Sequence, residues 1–79
     1  MKDKVKLLLY KACGDTRVYE DNIDLLEEII DSFVLIEIIS EIENEFGVEL
    51  QPTEIPIDNL RSVEGIVELI ERELTKYEQ

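Results

Sequence analysis

The stretch from Asp31 to Gly47 constrains this chain more than any other. Leu35, Ile38, Ile39, Ile42 and Phe46 recur at spacings of three and four, which at 100° per residue gathers them into one narrow apolar stripe. Asp31 or Ser32 supplies a start signal and Gly47 a C-terminal stop, so the spacing predicts one helix from there to Phe46. A helix with a stripe this apolar must bury it against other elements. The rest of the chain has to furnish them.

Two further segments do so. Val5, Leu8, Leu9 and Ala12 lie on one stripe of a helix running from about Lys4 to Cys13, which Gly14-Asp15 ends. Val63, Ile66, Val67, Ile70 and Leu74 mark a last helix with Ser62 as its N-cap, weakened slightly by Gly65. Val48 and Leu50 carry the chain back across the core, and Pro52 and Pro56 break any long helix between. Room remains for one short turn of helix from Ile57 to Leu60. Between Asp15 and Asp31 the apolar residues Val18, Tyr19, Ile23, Leu25, Leu26, Ile29 and Ile30 are spaced irregularly, as in a long connection pinned over the core. The expectation is an all-α bundle of three main helices plus one short helix, with a long first loop and no strand. With 79 residues and no linker or repeat, it is read as a single domain over 1–79.

Composition narrows the function. Against 8 basic residues stand 20 acidic ones, a net charge of −12 that repels nucleic acid and anionic membranes and calls for basic partners. The 44% hydrophobic content, periodically placed, separates the chain from acidic disordered tails. One cysteine, Cys13, excludes an internal disulfide and fits a reducing compartment; with no apolar run of about 18 residues and no signal stretch, the expected location is cytoplasmic. Histidine is absent, Cys13 has no base or cation beside it, and paired acids such as Glu27-Glu28 arise by composition, so an enzyme is not expected. No calcium-loop spacing or transition-metal ligand set occurs, and no metal site is expected.

Opposite its core stripe the middle helix offers Phe33, Ile36, Glu37, Ser40 and Glu41, with Val34 on the flank, close to Ser32. An apolar patch rimmed by charge is the pattern of a docking surface. An exposed serine at a helix start without a base nearby is a poor nucleophile and a good attachment point. Its bland reading is an ordinary N-cap.

The stretch Ile29-Ile30-Asp31-Ser32-Phe33, Ile36-Glu37-Ile38 and Glu41-Ile42-Glu43-Asn44-Glu45-Phe46-Gly47-Val48 resembles the phosphopantetheine-attachment region of acyl carrier proteins. The resemblance implies 4'-phosphopantetheine attached covalently to Ser32 by a phosphopantetheinyl transferase, with cargo held as a thioester on the arm. It further implies Asp31, Phe33, Val34, Ile36, Glu37, Ser40 and Glu41 as the partner-facing surface. Within the superfamily, Cys13-Gly14-Asp15, Ile23-Asp24, Glu27-Glu28, Ile42-Glu43-Asn44-Glu45-Phe46 and Pro52-Thr53-Glu54 are similar to the D-alanyl carriers of lipoteichoic acid alanylation. That implies an adenylating ligase for D-alanine and a downstream acyltransferase, membrane-embedded on this reading, as partners of a monomeric carrier.

Three departures are visible. Glu28 adjoins Ile29 where the family usually has a glycine. Val34 stands where fatty-acid carriers often place an acid, which points away from fatty-acid synthase enzymes. Asn59-Leu60-Arg61-Ser62-Val63-Glu64 looks more like carriers of assorted amino-acid and acyl-activating systems. The alternatives are therefore a carrier for another fatty-acid, polyketide or amino-acid pathway and, in another class, an acidic helical adaptor without cofactor.

Overall fold

In a computed structural model, residues 1–77 are described, and all their regular structure is helical. Helix α1 spans Lys2–Cys13, α2 Leu25–Glu28, α3 Ser32–Phe46 and α4 Val63–Tyr77, with 3-10 turns at Thr16–Tyr19, Pro52–Glu54 and Ile57–Arg61. The three main helices fall where the apolar spacing places them. The short turn of helix expected from Ile57 to Leu60 is a 3-10 turn over Ile57–Arg61; what differs is the first loop, which a single α-turn, α2, interrupts.

Local chemistry sets the helix ends. Gly14 and Gly47 adopt φ of 72° and 69°, the left-handed conformation that closes α1 and α3 and that a side chain would strain. Asp24 caps α2 by accepting the Glu27 amide, Asp31 caps α3 by accepting the Val34 amide, and the Ser62 hydroxyl caps α4 by accepting the Gly65 amide.

The core stripes converge as expected. Val5, Leu8 and Leu9 of α1 meet Ile38, Ile39 and Ile42 of α3, and Val63, Ile66, Leu69 and Ile70 of α4 complete the cluster. Leu69 is an addition to the expected set, while Leu35, Phe46, Val67 and Leu74 pack at the margin. Val18, Leu25, Val48, Leu50, Ile55 and Leu60 bring each connection down onto the same core. Fully burying one such side chain is worth about 1.5–3 kcal/mol, so these few anchors suffice to hold segments with little structure of their own.

Gly65 has a role other than a weak spot. A Cβ there would clash with the carbonyl oxygen of Asn59 and stand 3.0 Å from its carbonyl carbon. The missing side chain lets the 3-10 turn pack directly on the first turn of α4, where the Asn59 side-chain amide donates to the Gly65 carbonyl at 2.9 Å.

Candidate functional site

Ser32 is the first residue of α3, and its side chain is exposed. The capping task falls to its neighbour: Asp31 is extended (φ −116°, ψ −172°), and its Oδ1 accepts the Val34 N–H at 2.8 Å. The hydroxyl of Ser32 makes no hydrogen bond among the described residues. It stands at the positive end of a helix of 15 residues, whose first amides and dipole favour a negative group.

Beside the hydroxyl opens an apolar cleft of about 260 Å³ between α2, the start of α3 and the Pro52–Arg61 stretch. Leu26, Ile30, Leu35, Pro52, Ile55, Ile57 and Leu60 line it, together with Asp31 and Ser32. Ile57 is 62% exposed at this edge. Neither the cleft nor Ile57 was legible from helical spacing, because the lining comes from irregular segments on which no periodicity acts.

The outward face of α3 divides in two. Phe33 and Ile36, 71% and 59% exposed, stand out as expected, with Ser40 also exposed and Val34 half-buried. Glu37 and Glu41 are half-buried rather than fully outward. Glu41 lines a shallow groove with Lys4, Leu7, Leu8, Lys11 and Glu45, and Lys4 pairs with Glu45 at 3.3 Å while lying over the Phe46 ring. Cations of α1 thus partly neutralise the far end of the acidic ridge. The end nearest Ser32 is dominated by exposed apolar side chains.

The segment leading into Ser32 is held by arginines. Arg61 donates to Asp24 Oδ2 at 2.9 Å and to Asp58 Oδ1 at 3.3 Å, and lies 3.8 Å from Glu27. Arg17 grips Asp15 with two nitrogens, and its hydrogen bonds hold the Asp15 carboxyl below the ordinary carboxylate range. The same guanidinium reaches the Glu28 carboxylate and its backbone carbonyl, each at 3.3 Å. The amides of Ile29 and Ile30 both donate to the Leu25 carbonyl, and no non-glycine residue among those described has positive φ. Glu28 therefore fits where a glycine is usual in carriers, because the backbone needs no left-handed residue there.

Cys13 is half-buried and accepts the Asp15 amide on its sulfur, a structural contact. Among the described residues no cluster of three or more His, Cys, Asp or Glu is placed to hold a metal ion. Nor is any described helix long and apolar enough to cross a membrane.

The chain is a helical bundle with an exposed serine at a helix start beside an apolar cleft, and comparison with known families gives its class. The family model described as "phosphopantetheine attachment site" matches residues 3–70, and the chain belongs to that family. No curated protein and no solved structure matches it. Members carry 4'-phosphopantetheine covalently on a serine, are carriers of acyl groups rather than catalysts, and meet a phosphopantetheinyl transferase and acyl-handling enzymes.

Proposed function

We propose that Ser32 bears the 4'-phosphopantetheine arm and that the chain ferries an acyl or aminoacyl group, D-alanine for teichoic acid modification being the finer reading. The observation that carries the site is the state of the three serines. Ser62 has its hydroxyl engaged as a cap, and Ser40 lies in the middle of α3. Only Ser32 combines an exposed side chain with a place at a helix start and a hydroxyl that makes no hydrogen bond among the described residues.

In the attachment step the Ser32 oxygen bonds to phosphorus of coenzyme A as the bond to the adenosine bisphosphate breaks, and the serine proton leaves to solvent. The phosphodiester adds a negative charge, which the first amides of α3 are oriented to meet. The arm supplies a terminal thiol that holds cargo as a thioester. Asp31 fixes the helix start and forms part of the surface a basic transferase reads, while Phe33, Val34 and Ile36 offer apolar contact and Glu37, Ser40 and Glu41 polar contact to partners.

The resemblance at Cys13-Gly14-Asp15 and Pro52-Thr53-Glu54 supports D-alanine, loaded by an adenylating ligase and passed to a membrane-embedded acyltransferase. The cleft beside Ser32 favours a second reading, a cargo with an apolar chain, since alanine has little surface to shelter there. Intact-protein mass spectrometry with coenzyme A and a broad-specificity transferase tests the site. Wild type is expected to gain one arm and Ser32→Ala none. Gain of the arm by Ser32→Ala would refute the assignment, and failure of wild type with its own organism's transferase would leave the cofactor-free adaptor. Loading of the armed protein by a D-alanine ligase, against loading by a medium-chain acyl ligase, then separates the cargoes.

A further inference from the structure

Helix α2 has four residues, too few to hold a helical conformation on their own, yet it ends three residues before Ser32's neighbour Asp31 and forms one wall of the cleft through Leu26. Buried Leu25 and half-buried Leu26 rest it on the core, but two adjacent apolar anchors do not fix both ends of the turn. Both of its ends are held by guanidinium groups from distant parts of the chain. Asp24 uses one carboxylate oxygen, Oδ1, to cap α2 and offers the other, Oδ2, to Arg61, 37 residues away. At the opposite end the last α2 carbonyl, that of Glu28, accepts from Arg17. Cations are scarce here: half of the chain's eight basic residues belong to α1. Of the three arginines, two converge on this single turn. Arg61 directly follows Leu60, a lining residue of the cleft, so it joins the two walls.

We propose that Arg61 is a positioning residue for arm attachment: by holding the Asp24 carboxylate that caps α2 it fixes the segment delivering Ser32 and the adjoining cleft wall, with Arg17 holding the other end. The inference rests on the reading of Ser32 as the attachment site. Asp24 and Glu27 without Arg61 would be neighbouring acids on a strongly acidic protein, repelling each other and loosening the turn. An exposed ion pair contributes modestly, so the effect is a several-fold shift in local opening and leaves the bundle intact.

The test compares wild type, Arg61→Gln, Arg61→Lys and Arg72→Gln. Arg72 pairs with Glu68 along α4, and its removal makes the same charge change away from Ser32. Amide exchange on the apo protein reads the Glu28, Ile29 and Ile30 amides, which bond to Asp24 and Leu25 carbonyls. Arg61→Gln is expected to speed them about three- to fivefold without touching core amides of α3, to lower kcat/KM for arm attachment by a similar factor, and to be largely rescued by Arg61→Lys. Arg72→Gln should match wild type in both readouts. Should Arg61→Gln lose helical signal, Asp24→Asn removes the same ion pair while keeping a capping oxygen. If wild type takes the arm and Arg61→Gln behaves as Arg72→Gln in exchange or in attachment, the proposal is wrong and the carrier reading stands. If wild type takes no arm, the carrier reading falls and the proposal with it.

Discussion

Replacing Asp31 separates two tasks that one carboxylate performs. Its Oδ1 accepts the Val34 amide at 2.8 Å in an exposed setting, and its charge sits at the positive end of α3. Loss of such a cap costs about 0.5–2 kcal/mol, and loss of the charge-dipole attraction about 0.3–1 kcal/mol. Removing one acid from a molecule of net charge −12 relieves repulsion and offsets part of the second effect. Asp31→Ala should therefore lose about 1–1.5 kcal/mol, a sizeable share of the roughly 4–12 kcal/mol available to a chain of this length. For a domain of this size that lowers Tm by about 5–10 °C. Asn caps as well as Asp, so Asp31→Asn should stay within about 0.5 kcal/mol of wild type. Thermal denaturation by circular dichroism reads the cap, and the initial rate of arm attachment by mass spectrometry reads recognition. The expected pattern is a destabilised, slow Asp31→Ala and a stable but slow Asp31→Asn. An Asp31→Ala protein melting within 1–2 °C of wild type would refute the capping argument, since even the lower bound predicts more. Wild-type attachment by Asp31→Asn would show that the transferase does not read the charge.

Three further outcomes follow from the same structure. Gly65→Ala gains helix propensity but drives a methyl against the Asn59 carbonyl, so it should lower stability by about 1–3 kcal/mol in urea titration; a stabilised variant would mean that the 3-10 turn is free to move. Phe33→Ala and Ile36→Ala remove side chains that are 71% and 59% exposed, so stability should change by less than about 0.5 kcal/mol while partner affinity measured by calorimetry drops. Asp15 has its carboxyl pKa lowered from 3.8 by hydrogen bonds from Arg17, so its charge stabilises the fold above that value and the contribution is lost as pH falls through the lowered folded-state value. Asp15→Asn should accordingly melt below wild type at pH 7, and the two melting curves should converge under acid; a gap that persists at low pH would contradict the assignment.

The main helices were legible because strong physical signals coincide there. Ile38, Ile39 and Ile42 repeat at helical spacing, and Gly47 supplies the backbone freedom that the end of α3 requires. Asp31-Ser32 was legible as a helix start, although only the structure assigns the capping to Asp31. Helix α2 was not, since one turn carries no period and Leu25 and Leu26 are adjacent rather than spaced. Glu41 shows the reach of a helical wheel: it places a residue relative to its own axis, whereas the lysines of α1 that flank Glu41 belong to another helix. Contacts such as Arg61 to Asp24, separated by 37 residues, depend on the assembled topology and leave no local trace. The cleft is of that kind too, its lining drawn from α2, α3 and the irregular Pro52–Arg61 stretch.

The division of labour between Asp31 and Ser32 has a consequence for the life of the protein. Because the hydroxyl bears none of the fold, an arm attached at Ser32, as proposed, would come and go without altering the contacts that keep the bundle closed. Folding quality control, which recognises opened chains, would then be blind to whether the molecule is empty or charged. On that proposal, turnover of the polypeptide and turnover of its cargo would be independent clocks.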